Sequence, residues 1–196
     1  MAVPWQRVTV DQRMLVERAR EGDHDAFAVL AGAAIARLDA AARLILRDPE
    51  LARDAVQDGL VRAWRDLRSL RDPTRFDAWV HRLTVNACLD ILRRRRRRPI
   101  EVEITPLDAP FGGDIASLIA DRDQLDQALK ALEPEWRALV VAHYYLGMPL
   151  PEAAAALGIP LGTAKSRLHR SLSVMRVAMS LDEADAVAPV PGGQFA

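Results

Sequence analysis

The sequence predicts an all-α protein of two small helical domains joined by a flexible acidic linker. Three observations predict it. No segment of the 196-residue chain shows sustained apolar–polar alternation, while apolar residues recur at helical spacing through most of its length. Alanine, leucine and arginine, which favour helix, are abundant throughout. Between residues 99 and 120 the character changes, with Pro99, Pro106, Pro110, Gly112 and Gly113 set among acids and scattered aliphatics. Repeated helix breakers of this kind make an extended connector between two bodies.

The elements follow in order. Asp11 is expected to cap a first helix running to about Glu21, which Gly22 ends. Asp23 caps the next, with Phe27, Leu30 and Ala34 turned inward. Asp48 and Pro49 open a third helix, on which Ala52, Val56, Leu60, Ala63 and Leu67 share one face. Asp72-Pro73-Thr74 interrupts the pattern. A fourth helix covers roughly Phe76 to Arg95, with Phe76, Val80, Leu83, Ala87 and Ile91 inward. Four such stripes can bury one core, which defines a first domain at residues 1–98. After the linker at 99–124, Leu125, Leu129 and Leu132 resume helical spacing. Pro134 then starts a helix with Trp136, Leu139, Val140 and His143 or Tyr144 on or near its packed side. The second domain spans 125–180. The remaining residues, 181–196, turn acidic and end in VAPVPGGQFA, the composition of a disordered tail.

The stretch from Leu150 to Arg176 carries the strongest functional signal. Pro151 fits the first turn of a short helix whose Ala153, Ala154 and Leu157 form a small packing face. Gly158 suits the left-handed position that ends it. Thr163 is placed to cap a second helix with Ala164, Leu168, Leu172 and Met175 inward. Lys165, Ser166, His169, Arg170 and Ser173 are left outward. This is a helix-turn-helix whose second helix suits a DNA major groove; the plainer alternative is a helical hairpin with a solvated basic face.

Formal net charge is zero, from 27 basic and 27 acidic residues, and by itself says nothing about nucleic acid. Its distribution is more informative. Six consecutive arginines fill 93–98, whereas residues 101–127 hold seven acids against the single base Arg122. The lone Cys88 excludes an intrachain disulfide framework and reads as a small core residue. No apolar run reaches the ~18 residues of a membrane span. Because the first residues also lack the apolar stretch of a secretion signal, the expectation is a cytoplasmic protein without membrane insertion. No phosphate loop, nucleophile elbow or HExxH pattern occurs, and His24, His81, His143 and His169 fall on different elements. No catalytic group, metal site or cofactor is expected.

Two further faces stand out. Opposite the inward stripe of the fourth helix lie Trp79, Arg82, Asn86, Asp90 and Arg93. An aromatic, an amide and arginines in line can stack on unpaired bases and hold phosphates. Equally, Trp79 can be core and the arginines a solvated helix end. On the third helix Asp54, Gln57, Asp58 and Val61 point away from the apolar stripe. That mixed acidic face would repel phosphates and could meet a basic protein partner, or simply be solvated.

Four stretches in this order carry a family resemblance: GDHDAFAVL, DPELARDAVQDGLVRAWRDL, RFDAWVHRLTVNACLDILRRRRR and LEPEWRALVVAHYYLGMPLPEAAAALGIPLGTAKSRLHR. Together the chain resembles the extracytoplasmic-function (group IV) RNA polymerase sigma factors of the sigma-70 family, over about residues 10–98 and 125–178. The resemblance implies a four-helix region 2 domain and a helix-turn-helix region 4 domain. Asp54, Gln57 and Asp58 fill the pattern D-x-x-Q-[DE], which with Val61 implies docking on the β′ clamp of core RNA polymerase, the β flap being a second contact. Arg71, Arg75, Trp79, Arg82, Asn86, Arg93 and Arg94 would recognise and melt the −10 promoter element and hold a flipped base, at a cost of a few kcal/mol in lost stacking. Thr163, Lys165, Ser166, Arg167, His169 and Arg170 would read or position the −35 element. The linker would thread the RNA-exit region, and an anti-sigma factor would hold the protein inactive.

Three features depart from the family pattern. The arginine run is long, His169 stands where an arginine or bulky apolar residue is usual, and PEAAAAL lacks a branched aliphatic after its glutamate. A rival reading is a helix-turn-helix regulator of the response-regulator type, which shares such a second domain. Its receiver would alternate strands with helices, which the helical, arginine-ended first half does not. A protein-only adaptor, the other rival, would lack the basic side chains of the recognition helix.

Overall fold

The computed structural model describes residues 5–97 and 124–186, and among these there is no strand. The first domain holds α1 (Trp5–Arg20), α2 (His24–Leu46), α3 (Pro49–Asp66) and α4 (Phe76–Arg97). The second holds α5 (residues 124–130), α6 (Pro134–Val140), α7 (Leu150–Leu157) and α8 (Leu161–Ala186). The linker expected at 99–124 lies outside the described residues except for Gln124, which starts α5, and the tail beyond Ala186 lies outside them too. Between Leu181 and Ala186 the chain is still helical, so α8 runs past the expected start of the tail. No described helix is long and apolar enough to cross a membrane.

Caps set most of the boundaries. The Asp23 carboxylate accepts from Ala26 N at 3.0 Å and opens α2. Asp48 accepts from Glu50 N and Leu51 N, each at 3.1 Å, with Pro49 in the first turn of α3. Each bond satisfies an amide that the first helical turn leaves without a partner. Asp72 closes a 3-10 turn, Pro73–Arg75, by accepting from Thr74 N at 2.9 Å. Gly158 ends α7 at φ 68°, the left-handed geometry expected of it. Two expected caps are corrected. α1 starts at Trp5 and contains Asp11, and α8 starts at Leu161, so Thr163 is its third residue. A capping side chain permits a helix start without forcing one; in α8, Ala164 N donates to Pro160 O at 3.0 Å, so its first turn closes upstream of Thr163.

Val16, Leu38, Ile45, Leu67, Phe76, Val80 and Val85 are fully buried in the first domain, and Leu139 in the second. The expected stripe of α4 holds, with Phe76, Val80, Ala87 and Ile91 buried and Leu83 half-buried. Yet α4 also buries Trp79, His81, Thr84, Val85, Cys88 and Leu89. It packs against α2 and α3 on one side and meets α6 and α7 of the second domain on another. A helix enclosed on several sides has apolar residues well beyond one stripe. Cys88 is core, as expected, and burial pushes its thiol up to about 12.

Candidate protein and nucleic-acid interfaces

On α3, Asp54, Gln57 and Val61 are exposed, Val61 at 56 %. Beside them a cleft of about 590 Å³ runs between α2 and α3, lined in part by Ile35, Arg53, Val56, Gln57 and Leu60. Acid and amide groups at the rim of an apolar cleft suit a partner that brings both basic and apolar side chains. Asp58 differs from its neighbours. It is half-buried, and Arg62 donates to it at 2.6 Å while reaching Asp90 of α4 at 3.2 Å. Burial works against the Arg62 charge, but the hydrogen bonds to Asp58 and Asp90 outweigh it and raise its pKa. Asp58 therefore fastens α3 to α4 through Arg62 as well as facing outward. The Asp58–Arg62 spacing is legible in the sequence; the third member, Asp90, is brought in only by the packing.

On α4 the expected outward face is only partly realised. Arg82 is exposed, and Asn86 and Asp90 are half-buried. Trp79 is 9 % exposed, with its ring 6.3 Å from that of Phe76, so the tryptophan expected outward lies in the core of this arrangement. A large indole gains much from burial, and α4 meets α7 as well as α2 and α3. In the preceding loop Arg71 is exposed, and Arg75 pairs with Glu152 of α7. At the helix end Arg93 donates to the Asp90 carboxylate and Arg94 to its carbonyl, both at 3.3 Å. Arg95 reaches Asp48 at 3.3 Å, and Arg96 lies 3.6 Å from Glu135.

On α8 the structure separates two faces cleanly. Ala164, Leu168, Ser171 and Met175 are buried and Leu172 half-buried, while Lys165, Ser166, His169, Arg170 and Ser173 are exposed. Thr163 and Arg167 are half-buried at the edge. Ser166 and Ser173 donate to the carbonyls of Thr163 and His169, which leaves their oxygens able to accept, and the exposed Lys165 and Arg170 can face a polyanion. Upstream, α6 leaves the α-helical pattern in a π turn, Val141–Tyr145, closed by Leu146 N donating to Val141 O at 3.0 Å. The widened turn puts Tyr144 and Tyr145 on the surface, and His143 Nδ1 donates to Met148 O at 2.8 Å.

Sequence reasoning missed one group. Arg137 is 6 % exposed and donates to Ile45 O, at the end of α2, at 2.9 Å, with Leu129 O and Leu132 O at 3.5 Å. Burial, with the charge of Arg47 nearby, lowers its pKa to about 10, and Asp126 opposes this. It therefore remains a cation at neutral pH. No local pattern distinguishes it from a surface arginine, because its shortest acceptor, Ile45 O, comes from the other domain.

Among family models, Sigma-70 region 2 matches residues 33–98 and Sigma-70, region 4 matches residues 122–175. The chain is 35% identical over 144 residues to the RNA polymerase sigma-E factor of Streptomyces coelicolor, covering 72% of this chain and 80% of that protein. It is 36% identical over 151 residues to the ECF RNA polymerase sigma factor SigM of Mycobacterium tuberculosis, covering 76% and 75%. Of solved structures, CnrH in complex with the cytosolic domain of CnrY matches with a TM-score of 0.58 at 27% identity, covering 91% of this chain and 99% of that one. The sigma factor RpoE in complex with the anti-sigma factor NepR from Bartonella quintana matches with a TM-score of 0.61 at 25% identity, covering 74% and 91%. Helical domains matching regions 2 and 4, carried in one chain with relatives of this identity and coverage, show that the protein belongs to the extracytoplasmic-function RNA polymerase sigma factors of the sigma-70 family.

Proposed function

We propose that the protein binds core RNA polymerase and directs it to promoters by reading −35 and −10 elements and helping to melt the DNA. The observation that carries this reading is the division of α8, with Lys165, Ser166, His169 and Arg170 exposed on one side and Ala164, Leu168 and Ser171 buried on the other. A helix held rigidly by one face presents the other to the major groove in a fixed register. Thr163 and Arg167 flank that face and contact the backbone. The exposed Asp54, Gln57 and Val61, with Asp58, dock on the β′ clamp, and the second domain meets the β flap. Arg71, Arg75, Arg82, Asn86, Arg93 and Arg94 act at the −10 element. Trp79, buried beside Phe76 here, belongs to the same set and must turn out of the core to reach DNA. Chemistry belongs to the polymerase; this chain supplies no catalytic group and works in the cytoplasm. The match to sigma factor RpoE, solved with the anti-sigma factor NepR, supports regulation by such a protein here.

The test is run-off transcription with core polymerase, with and without the protein, on promoters from its own operon. A promoter-dependent transcript that requires the protein is expected. A folded protein and active core that give no such transcript would overturn the reading.

A further inference from the structure

The end of α1, the turn into α2 and the end of α3 enclose a second cleft, of about 230 Å³, whose wall includes Arg20, Gly22, Trp64, Arg65 and Arg68. None of these residues belongs to the polymerase or promoter sets proposed above, and no acid lines the space. Its charges are poorly matched within the protein. Arg20 is half-buried, and its Nε is buried without a hydrogen-bond partner. Arg68 donates Nε to Arg20 O at 3.2 Å, which ties it to the end of α1 without a counter-charge. Neither guanidinium pairs with a carboxylate among the described residues, and Asp23, next to Gly22, is held by Arg18 at 2.7 Å. Arg65 alone meets an acid, donating to Asp66 at 3.1 and 3.3 Å. The turn adds no free amide, since Glu21, Gly22 and Asp23 donate theirs to α1 carbonyls. Trp64 supplies an aromatic wall, its ring packed 4.5 Å from that of His24 and 5.0 Å from that of Phe27.

We propose that this cleft binds a small soluble phosphate monoester, its phosphoryl group on Arg20, Arg65 and Arg68 and its organic part against Trp64. Three guanidiniums around one space repel one another, and a half-buried one without a counter-ion carries a desolvation cost that an anion offsets. Their planar forks match phosphoryl oxygens. Charge decides the class of anion. A phosphate monoester carries about −1.5 to −2 at neutral pH with three acceptor oxygens, which suits two unpaired arginines and a third that is partly neutralised. A nucleic-acid backbone phosphate or a carboxylate brings a single charge. The cleft is several times the ~30 Å³ of a water molecule, so it has room for more than the phosphoryl group. A ring carried by the ligand gains by lying on the indole. Because the ligand would join α1 to the end of α3, binding would stabilise the first domain. This inference does not rest on the promoter reading.

The experiment titrates the full chain with adenosine monophosphate at low ionic strength, by calorimetry and by tryptophan emission. Adenosine, inorganic phosphate and a short single-stranded DNA without a terminal phosphate serve as comparisons. Adenosine monophosphate is expected to bind more tightly than phosphate, to weaken as salt rises and to raise the thermal midpoint, while adenosine should not bind. Arg68→Gln should weaken it by at least about tenfold, the scale of one charge-assisted hydrogen bond. That side chain is exposed, so the variant should keep the fold even where Arg20→Gln does not, and circular dichroism checks both. Quenching of emission should disappear in Trp64→Phe. Absence of binding at millimolar nucleotide, or an affinity unchanged in folded Arg68→Gln, would overturn the site. Equal affinity for adenosine, or for phosphate, would overturn the monoester assignment. Displacement of the nucleotide by the DNA would mean a backbone site and overturn it too. Run-off transcription enters none of these outcomes, so failure of the sigma-factor reading would be seen separately.

Discussion

Gly59 of α3 faces Thr84 of α4 so closely that a Cβ at residue 59 would lie 2.7 Å from Thr84 Oγ1. It would also stand 3.1 Å from Thr84 Cα and 3.3 Å from its amide nitrogen. Glycine is required here for contact between helices, not for an unusual backbone angle. The contact couples the helix with the proposed polymerase-docking residues to the helix with the proposed −10 residues. Gly59→Ala should therefore destabilise the first domain by about 1–3 kcal/mol, the usual cost of overpacking, read as a lower urea midpoint with unchanged slope. Adding Thr84→Ala should recover only part of the loss, because the main chain of α4 remains in the way.

Asp54→Ala with Gln57→Ala should weaken binding to core polymerase by at least about tenfold while leaving thermal stability within about 0.5 kcal/mol of the parent. Both side chains are exposed, and Gln57 lines the cleft beside α3. Asp58→Asn should lose stability too, since it weakens the hold of Arg62 on α3 and α4. Core affinity measured by fluorescence anisotropy separates the two effects; unchanged affinity in the double variant would refute the docking assignment.

Two positions on α8 distinguish reading from anchoring. Arg170→Ala should cost about 1–3 kcal/mol on the matching −35 sequence and reduce discrimination against altered ones if the side chain reads a base. Lys165→Ala should weaken all sequences alike and lower the salt slope by about 1 if it holds a phosphate. Filter binding across a salt series, on matched and mutated −35 duplexes, decides both.

His81 is expected to make stability depend on pH. Burial lowers its pKa below the ordinary value of 6.5, the charge of Arg37 lowers it further, and Asp77 opposes them. The fold thus favours the neutral ring. Because the unfolded chain takes up a proton first, this contribution is complete above about pH 6.5 and is lost as pH falls through the folded value. Urea unfolding of the parent at about pH 7.5 and about pH 5 should show the loss, and His81→Gln should lessen the difference. An equal pH dependence in parent and variant would count against this role.

Cys88 offers a probe of the same core. With its thiol buried and raised to about 12, it should react with a thiol reagent only when α4 is released. Its rate should rise with denaturant and should be faster in Gly59→Ala than in the parent. Immediate reaction in the native protein would contradict the packing.

Much of the architecture was legible because it is local. Asp23, Asp48 and Gly158 act within a few residues of themselves, so their roles as helix boundaries could be read from the chain and are what the structure holds. The two faces of α8 follow from helical period against a single packing side. Asp11 and Thr163 misled because a capping side chain permits a helix start without forcing one, and the helices began earlier.

The sequence alone therefore determined the helices, the two-domain order and the family, since these rest on short-range periodicity and motif order. Only the tertiary structure decided the states of Trp79, Arg62, Arg75 and Arg137. Trp79 lies on a helix with neighbours on more than one side, where a single apolar stripe no longer separates inside from outside. The partners of the arginines, Asp90, Glu152 and Ile45, lie 28, 77 and 92 residues away. A guanidinium is soluble in either place. Whether it meets water, DNA or a carboxylate is settled by which helices fold against it, and no spacing along the chain records that.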